Sequence, residues 1–423
     1  MNLLNAVNDA LLRLYYPTRS TQGVVPSEGV YLVVANHPNG LLDPLMVRLL
    51  VGRPTGFLAK STFWNNPVGR ATMNAAGAMP VYRAHEADTA KNEETFKRCR
   101  ALLKRGEWLA LFPEGKSHSE PTLQPLKSGA ARIALSTLAE APELALRVLP
   151  VGVFYEDKAV FRSRATGTVG DPVEVADLLP LYRTDARAAV EALTERVEAA
   201  LGAVVLQGET EELRRAFYAV AGWTTARAPE AQRTADIAVR EQRARELAAR
   251  WAATPEDQRG AAIIAFRQFE QRMAALGVED PLVVLEARPG PVLARTVGLL
   301  ALLPIAVLGA VLAWVPYRLV RPVASLLARG SEDVLGTMKV LLGALVLTIH
   351  YLGIAVLAAF AGGPWLGLAA AIVGPLSGYM ALRFDERWTL RREALRGLWR
   401  ARDVDVRAAL IREREALIGV ISG

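Results

Sequence analysis

The chain holds one cysteine, Cys99, and four histidines among 423 residues. A single cysteine excludes an intrachain disulfide and any zinc site built on cysteines. With so few histidines, the position of each carries unusual weight. The beginning, Met1-Asn2-Leu3-Leu4-Asn5-Ala6, has neither a basic stretch nor a long apolar core, so no secretory signal peptide is expected. There is no Gly-x-Ser-x-Gly elbow, which argues against a serine hydrolase. Gly115-Lys116-Ser117 resembles the end of a phosphate-binding loop, but Ala110 stands where that motif needs glycine. No internal repeat and no low-complexity tract is present.

Apolar residues are plentiful. They make up 52% of the chain, high for a soluble protein, so part of the chain is expected in lipid. The net charge is +7 and the pI about 9.6, which fits a membrane surface, nucleic acid or phosphorylated substrates. Three apolar runs lie late in the chain: Val297 to Val315, Val340 to Phe360, and a shorter Gly367 to Leu382 interrupted by Pro375. A spanning helix needs roughly 20 apolar residues. Arg383, Arg387, Arg391, Arg392 and Arg396 follow the last run and place that end in the cytoplasm. Beside apolar spans, such a basic tail faces anionic lipid rather than nucleic acid. With the first run re-entrant or lying in the interface, the amino-terminal domain also falls on the cytoplasmic face.

The pattern divides the chain into an amphipathic amino-terminal helix (1–23), an α/β domain (24–205), a helical region (206–290) with no legible function, membrane segments (291–383) and a basic helical tail (384–423). In the α/β domain, strands are expected at Tyr31–Ala35, Gly56–Ala59, Met79–Tyr82, Trp108–Phe112, Arg147–Tyr155 and Thr166–Gly170. They alternate with helices at Pro44–Leu50, Asn92–Lys104, Gly129–Thr137 and Thr184–Leu201. That alternation predicts an α/β fold, a mostly parallel sheet flanked by helices.

Polar residues gather where these strands end, the position of ligand crevices in open α/β sheets. Val33-Val34-Ala35 runs into Asn36-His37-Pro38-Asn39-Gly40-Leu41-Leu42-Asp43-Pro44. A neutral imidazole takes up a proton near neutral pH, and a carboxylate holds its tautomer. Gly77-Ala78-Met79-Pro80-Val81-Tyr82 ends in Arg83. Leu109-Ala110-Leu111-Phe112-Pro113 ends in Glu114-Gly115-Lys116-Ser117-His118. Val148-Leu149-Pro150-Val151 is an apolar strand holding a proline. A metal site from His37, Asp43 and His118 has no recognised ligand pattern, so no metal is expected.

These four blocks, in this order, resemble the glycerolipid acyltransferase family. Five residues separate His37 from Asp43 where four are usual in that family. With Phe112-Pro113-Glu114-Gly115-Lys116-Ser117-His118 and Pro125-Leu126-Lys127-Ser128-Gly129-Ala130, this is similar to the fungal-type enzymes acting on glycerol-3-phosphate or dihydroxyacetone phosphate. The resemblance implies His37 as general base and Asp43 as its orienting partner. It implies Arg83, Glu114, Gly115, Asn39 and Pro150 at the substrates. Lys116 or Lys127 would supply the cation that many relatives place after Glu-Gly. No cofactor is implied beyond acyl-CoA or acyl carrier protein as co-substrate. The implied partners are membrane lipids and a glycerol-phosphate-type acceptor. A lysophosphatidic acid acyltransferase, a remodelling transacylase and a membrane adaptor that has lost catalysis are the alternative readings.

Overall fold

The computed structural model describes residues 9–10, 12–65, 67–82, 91–158, 160–225, 236–276, 296–328, 332–400 and 404–422. They divide into two compact units. One comprises Met1–Glu211, Asp236–Arg245 and Glu332–Thr337; the other comprises Glu212–Ala235, Glu246–Ser331 and Met338–Gly423.

The first unit is built on a seven-stranded sheet. Its strands are β1 (Thr18–Gln22), β2 (Val30–Ala35), β3 (Thr55–Lys60), β4 (Ala78–Val81), β5 (Trp108–Leu111), β6 (Leu146–Tyr155) and β7 (Arg164–Val169). Their order in the sheet is β1-β7-β6-β2-β5-β3-β4. The run β6-β2-β5-β3-β4 is parallel, β7 is antiparallel to β6, and β1 is parallel to β7. All six residues of β2 and all four of β5 are buried. Such continuous apolar runs suit the centre of a sheet covered on both faces.

Every strand expected from the pattern is found within a few residues of its place. The sheet also takes in Thr18–Gln22, which the sequence pattern leaves with the amino-terminal helix. This segment, Thr-Arg-Ser-Thr-Gln, lies at the sheet edge and carries no apolar alternation, so its pairing to β7 leaves no periodic signal. The described part of the amino-terminal helix is seen at residues 9–10 and 12–15.

Helices Lys91–Lys104, Gly129–Glu140 and Ala186–Val204 contribute Cys99, Leu103, Ile133, Leu135, Leu138, Leu193 and Val197 to one core with β2, β5 and β6. Gly152 in β6 is required there: a Cβ would overlap the carbonyl of Val204 at the end of the last of these helices. The Cys99 thiol sits inside this core, where burial pushes its pKa up to about 12. It is therefore neutral at ordinary pH and unsuited to nucleophilic chemistry.

The second unit is helical. Trp223 packs on Phe266 and Phe269, and Phe217 on Trp251, giving the region after residue 211 a small aromatic core. The last helix, Val404–Ser422, joins it: Arg272 pairs with Glu413, and Arg414 Nη2 donates to the carbonyl of Trp223 at 2.9 Å.

Three helices among the described residues are long and apolar enough to cross a membrane: Leu303–Ala328, Leu335–Gly362 and Pro364–Thr389. Leu357, Phe360 and Trp365 stand largely exposed, as side chains meant for lipid do. The third segment is a continuous helix through Pro375. A broken backbone is costlier in lipid than in water, which favours that continuity. Pro304 falls in the first turn of its helix, where a missing N–H costs nothing. His350 Nε2 donates to the carbonyl of Leu312 at 2.7 Å, a helix-to-helix bond.

Candidate active site

Strand register explains why two distant motifs meet. β2 and β5 are parallel neighbours with Val34 opposite Leu111. Three residues further on in each chain stand His37 and Glu114. The backbone N–H of His37 donates to Glu114 Oε1 at 2.9 Å, and the N–H of His118 donates to the carbonyl of His37 at 3.1 Å. The two loops are thereby laced together at the carboxyl edge of the sheet.

After β2 the chain turns through Pro38-Asn39-Gly40 and enters helix Leu42–Val51, with Asp43 in its first turn. The helix amino end favours a negative charge at that position. Asp43 is fully buried and uses both oxygens. His37 Nδ1 lies 2.8 Å from Oδ2, the backbone N–H of Asn39 donates to the same oxygen at 2.6 Å, and the Tyr155 hydroxyl donates to Oδ1 at 2.8 Å. Asp43 can only accept when ionised, so Nδ1 carries the proton and Nε2 carries the lone pair. The imidazole ring stacks on Phe112 with centroids 4.3 Å apart, and its side chain keeps 17% exposure. The ring is thus fixed, its tautomer is defined, and among the described residues Nε2 has no hydrogen-bond partner.

Glu114 is buried beside it and differently engaged. Oε2 accepts from the Gln124 backbone N–H at 2.9 Å and from His118 Nε2. The backbone N–H of Glu120 donates to His118 Nδ1 at 3.2 Å. His118 is thus neutral, with its proton on Nε2 and both nitrogens occupied. Among the described residues, no three His, Cys, Asp or Glu side chains converge as metal ligands.

Compared with known families, residues 18–153 match the acyltransferase family. The chain carries an acyltransferase-family domain. An uncharacterised acyltransferase of Schizosaccharomyces pombe is 36% identical over 119 residues, 28% of this chain and 18% of that protein. Glycerol-3-phosphate O-acyltransferase 2 of Saccharomyces cerevisiae is 34% identical over 28% of this chain and 16% of its own length. A chloroplastic 1-acyl-sn-glycerol-3-phosphate acyltransferase of Brassica napus is 29% identical, covering 32% of this chain and 41% of that protein. The chain therefore spans less than a fifth of the two fungal relatives.

Within the acyltransferase domain, the expected site residues take different places. His37, Asp43 and Glu114 converge. Gly115 has φ 73°, the left-handed region, and a Cβ there would lie 2.5 Å from Lys127 Nζ. The Lys127 side chain thus runs over Gly115, and Lys127 and Lys116 are both exposed. Asn39 is fully buried: its Nδ2 donates to the Tyr16 hydroxyl at 2.7 Å, so it serves the loop's own structure. Glu114 is likewise buried, with both carboxylate oxygens taken up by groups of the two loops. Pro150 lies mid-strand opposite Val34, with its carbonyl accepting from the Gly170 N–H at 2.9 Å. Arg83 lies outside the described residues.

Sequence reasoning missed Tyr155, Tyr16 and Lys158. Lys158 Nζ donates to the carbonyl of Pro38 at 3.0 Å and to Ser119 Oγ at 2.6 Å, and its own carbonyl accepts from the Tyr16 hydroxyl at 3.0 Å. Burial, with the charge of Asp43 next, pushes the Tyr155 phenol well above its ordinary 10 and keeps it a donor. Tyr155 is the last residue of β6, so the strand-end rule that found His37 and Glu114 had the means to find it too.

Proposed function

We propose that this chain is a membrane-bound O-acyltransferase. It moves a fatty acyl group from acyl-CoA or acyl carrier protein to the hydroxyl of glycerol-3-phosphate or dihydroxyacetone phosphate. The observation that carries this reading is the His37–Asp43 pair at 2.8 Å, at the carboxyl edge of a parallel sheet, with Nε2 unpartnered among the described residues. His37 Nε2 takes the hydroxyl proton as the acceptor oxygen attacks the thioester carbonyl. The tetrahedral intermediate collapses, the C–S bond breaks, and the imidazolium returns its proton to the departing thiolate. Asp43 holds the tautomer and offsets the transient positive charge. Lys116 and Lys127 supply cations for the acceptor phosphate.

The two yeast relatives named as glycerol-3-phosphate acyltransferases support this acceptor. The plant relatives named as 1-acyl-sn-glycerol-3-phosphate acyltransferases support a second reading, in which the acceptor is lysophosphatidic acid. Full-length protein in detergent, labelled acyl-CoA and a panel of both acceptors separate the two. His37→Ala is expected to lower turnover by about 10²- to 10⁴-fold. Undiminished turnover in that variant sinks the mechanism.

In this reading the α/β domain lies on the cytoplasmic face together with the basic tail, as the positive-inside rule favours. This requires an even number of crossings, so the continuous helix Leu303–Ala328, which bears Arg318 and Arg321, would lie in the interface. Cys99 is buried and is the sole cysteine. Single cysteines at Glu107 and Arg407 can therefore be labelled cleanly in sealed vesicles. Labelling from opposite sides would overturn this orientation.

A further inference from the structure

Behind the His37–Asp43 pair lies a second layer of hydroxyl groups with no counterpart in the motif. Tyr155 approaches Asp43 from β6, on the side away from His37, and donates to Oδ1 at 2.8 Å. Its ring packs against Tyr16, with centroids 5.0 Å apart. Tyr16 is itself pinned by Asn39 Nδ2 and by the carbonyl of Lys158. Tyr155 and Asp43 are both buried, and each hydrogen bond between such groups is stronger than its counterpart in water.

We propose that Tyr155 is a positioning residue that sets the basicity of His37 through Asp43. This rests on the acyltransfer reading above. A carboxylate that accepts a hydroxyl on Oδ1 places less negative charge at Oδ2. It therefore stabilises the His37 imidazolium less, and the imidazole loses its proton at lower pH. Tyr155 thus makes His37 less basic than Asp43 alone would, while its hydrogen bond fixes the carboxylate plane that aims the ring.

The other charged and titratable groups around the pair are few. From the β5 loop, Glu114 takes the His37 backbone N–H and is satisfied by His118. From the segment after β6, Lys158 binds the Pro38 carbonyl, and Asp157 acts on Tyr16 and Tyr15. None of these donates to Asp43, so among the described residues the hydroxyl is its only side-chain partner besides His37.

The experiment is the pH profile of kcat/KM for full-length protein in detergent, with Tyr155→Phe and with 3-fluorotyrosine placed at 155 by codon suppression. Phe keeps the ring but removes the donor, so the acid limb is expected to move up by about half a pH unit to one unit, with the KM values unchanged. The fluorinated phenol is a stronger donor and retains the packing, so the acid limb is expected to move down. Opposite shifts are what a merely structural role would not produce. Wild-type acid limbs in both folded variants, checked by thermal unfolding, overturn the proposal. Should Tyr155→Phe fail to fold, an unmoved limb in the fluorotyrosine protein is sufficient to overturn it. A wild-type enzyme without acyl transfer to any acceptor would instead reject the underlying reading. In that case the His37 titration, followed by NMR and assigned with His37→Gln, still reports whether Tyr155→Phe raises its pKa.

Discussion

Two adjacent strand ends hold two buried carboxylates, and their partners differ in kind. At the end of β2, Asp43 is met by two side chains, His37 and Tyr155, and by one backbone N–H, that of Asn39. At the end of β5, Glu114 is met by two backbone N–H groups, those of His37 and Gln124, and by one side chain, His118. Backbone donors hold a chain in place but do not exchange protons during turnover. Side-chain partners can. In the proposed mechanism the first carboxylate serves proton transfer and the second, two of whose three partners are backbone N–H groups, serves loop geometry, although they share His37.

The comparison breaks most readily at Asp43. Asp43→Ala removes the tautomer lock and the charge together, and turnover is expected to fall by about 10³- to 10⁴-fold. Asp43→Asn is expected to fall less, by about 10²-fold. In the serine-protease triad the same change imposes the wrong histidine tautomer and costs about 10⁴-fold. Here the amide oxygen can keep both bonds made by Oδ2, while the NH₂ donates to a Tyr155 hydroxyl rotated to accept. Charge is lost and geometry is kept. Steady-state kinetics of the two variants, with Tyr155→Phe added to the second, check this. Equal losses for Ala and Asn would show that Tyr155 does not rescue the amide.

The residues of this arrangement were unequally legible in the sequence. His37, Asp43 and Glu114 stand out because polar residues directly follow fully apolar strands, and β2 and β5 are buried along their whole length. The strands themselves follow from the same apolar runs. β1 carried no such signal, since an edge strand can be polar throughout and owes its place to pairing with β7. Tyr16 was hidden differently: it lies 23 residues before Asn39, and only the folded chain brings its hydroxyl to that side chain. Lys158 reaches the motif through its backbone carbonyl as well as its ammonium, and a carbonyl is the same in every residue type. Contacts made by main-chain atoms across the sheet leave no mark in residue identity.

Glu114→Gln tests the other half of the comparison, and its expected effect on turnover is smaller. The amide oxygen can still accept the N–H of His37. The NH₂ must then face Gln124 N–H and His118 Nε2–H, two donors where a donor now stands. His118 can shift its proton to Nδ1 to relieve one clash, but that nitrogen already accepts from the Glu120 N–H. One mismatch remains on either arrangement: the Gln124 N–H lacks an acceptor as described, or, with the amide flipped, the His37 N–H does. A buried unsatisfied donor costs about 1–3 kcal/mol, so thermal or denaturant unfolding of the domain should register a loss of that size. Turnover should fall by no more than about tenfold, because the His37 ring remains held by Asp43 and Phe112. A loss of catalysis as large as that of Asp43→Ala, with stability unchanged, would show that Glu114 meets the reacting groups itself, and the division between proton transfer and loop geometry would have to be withdrawn.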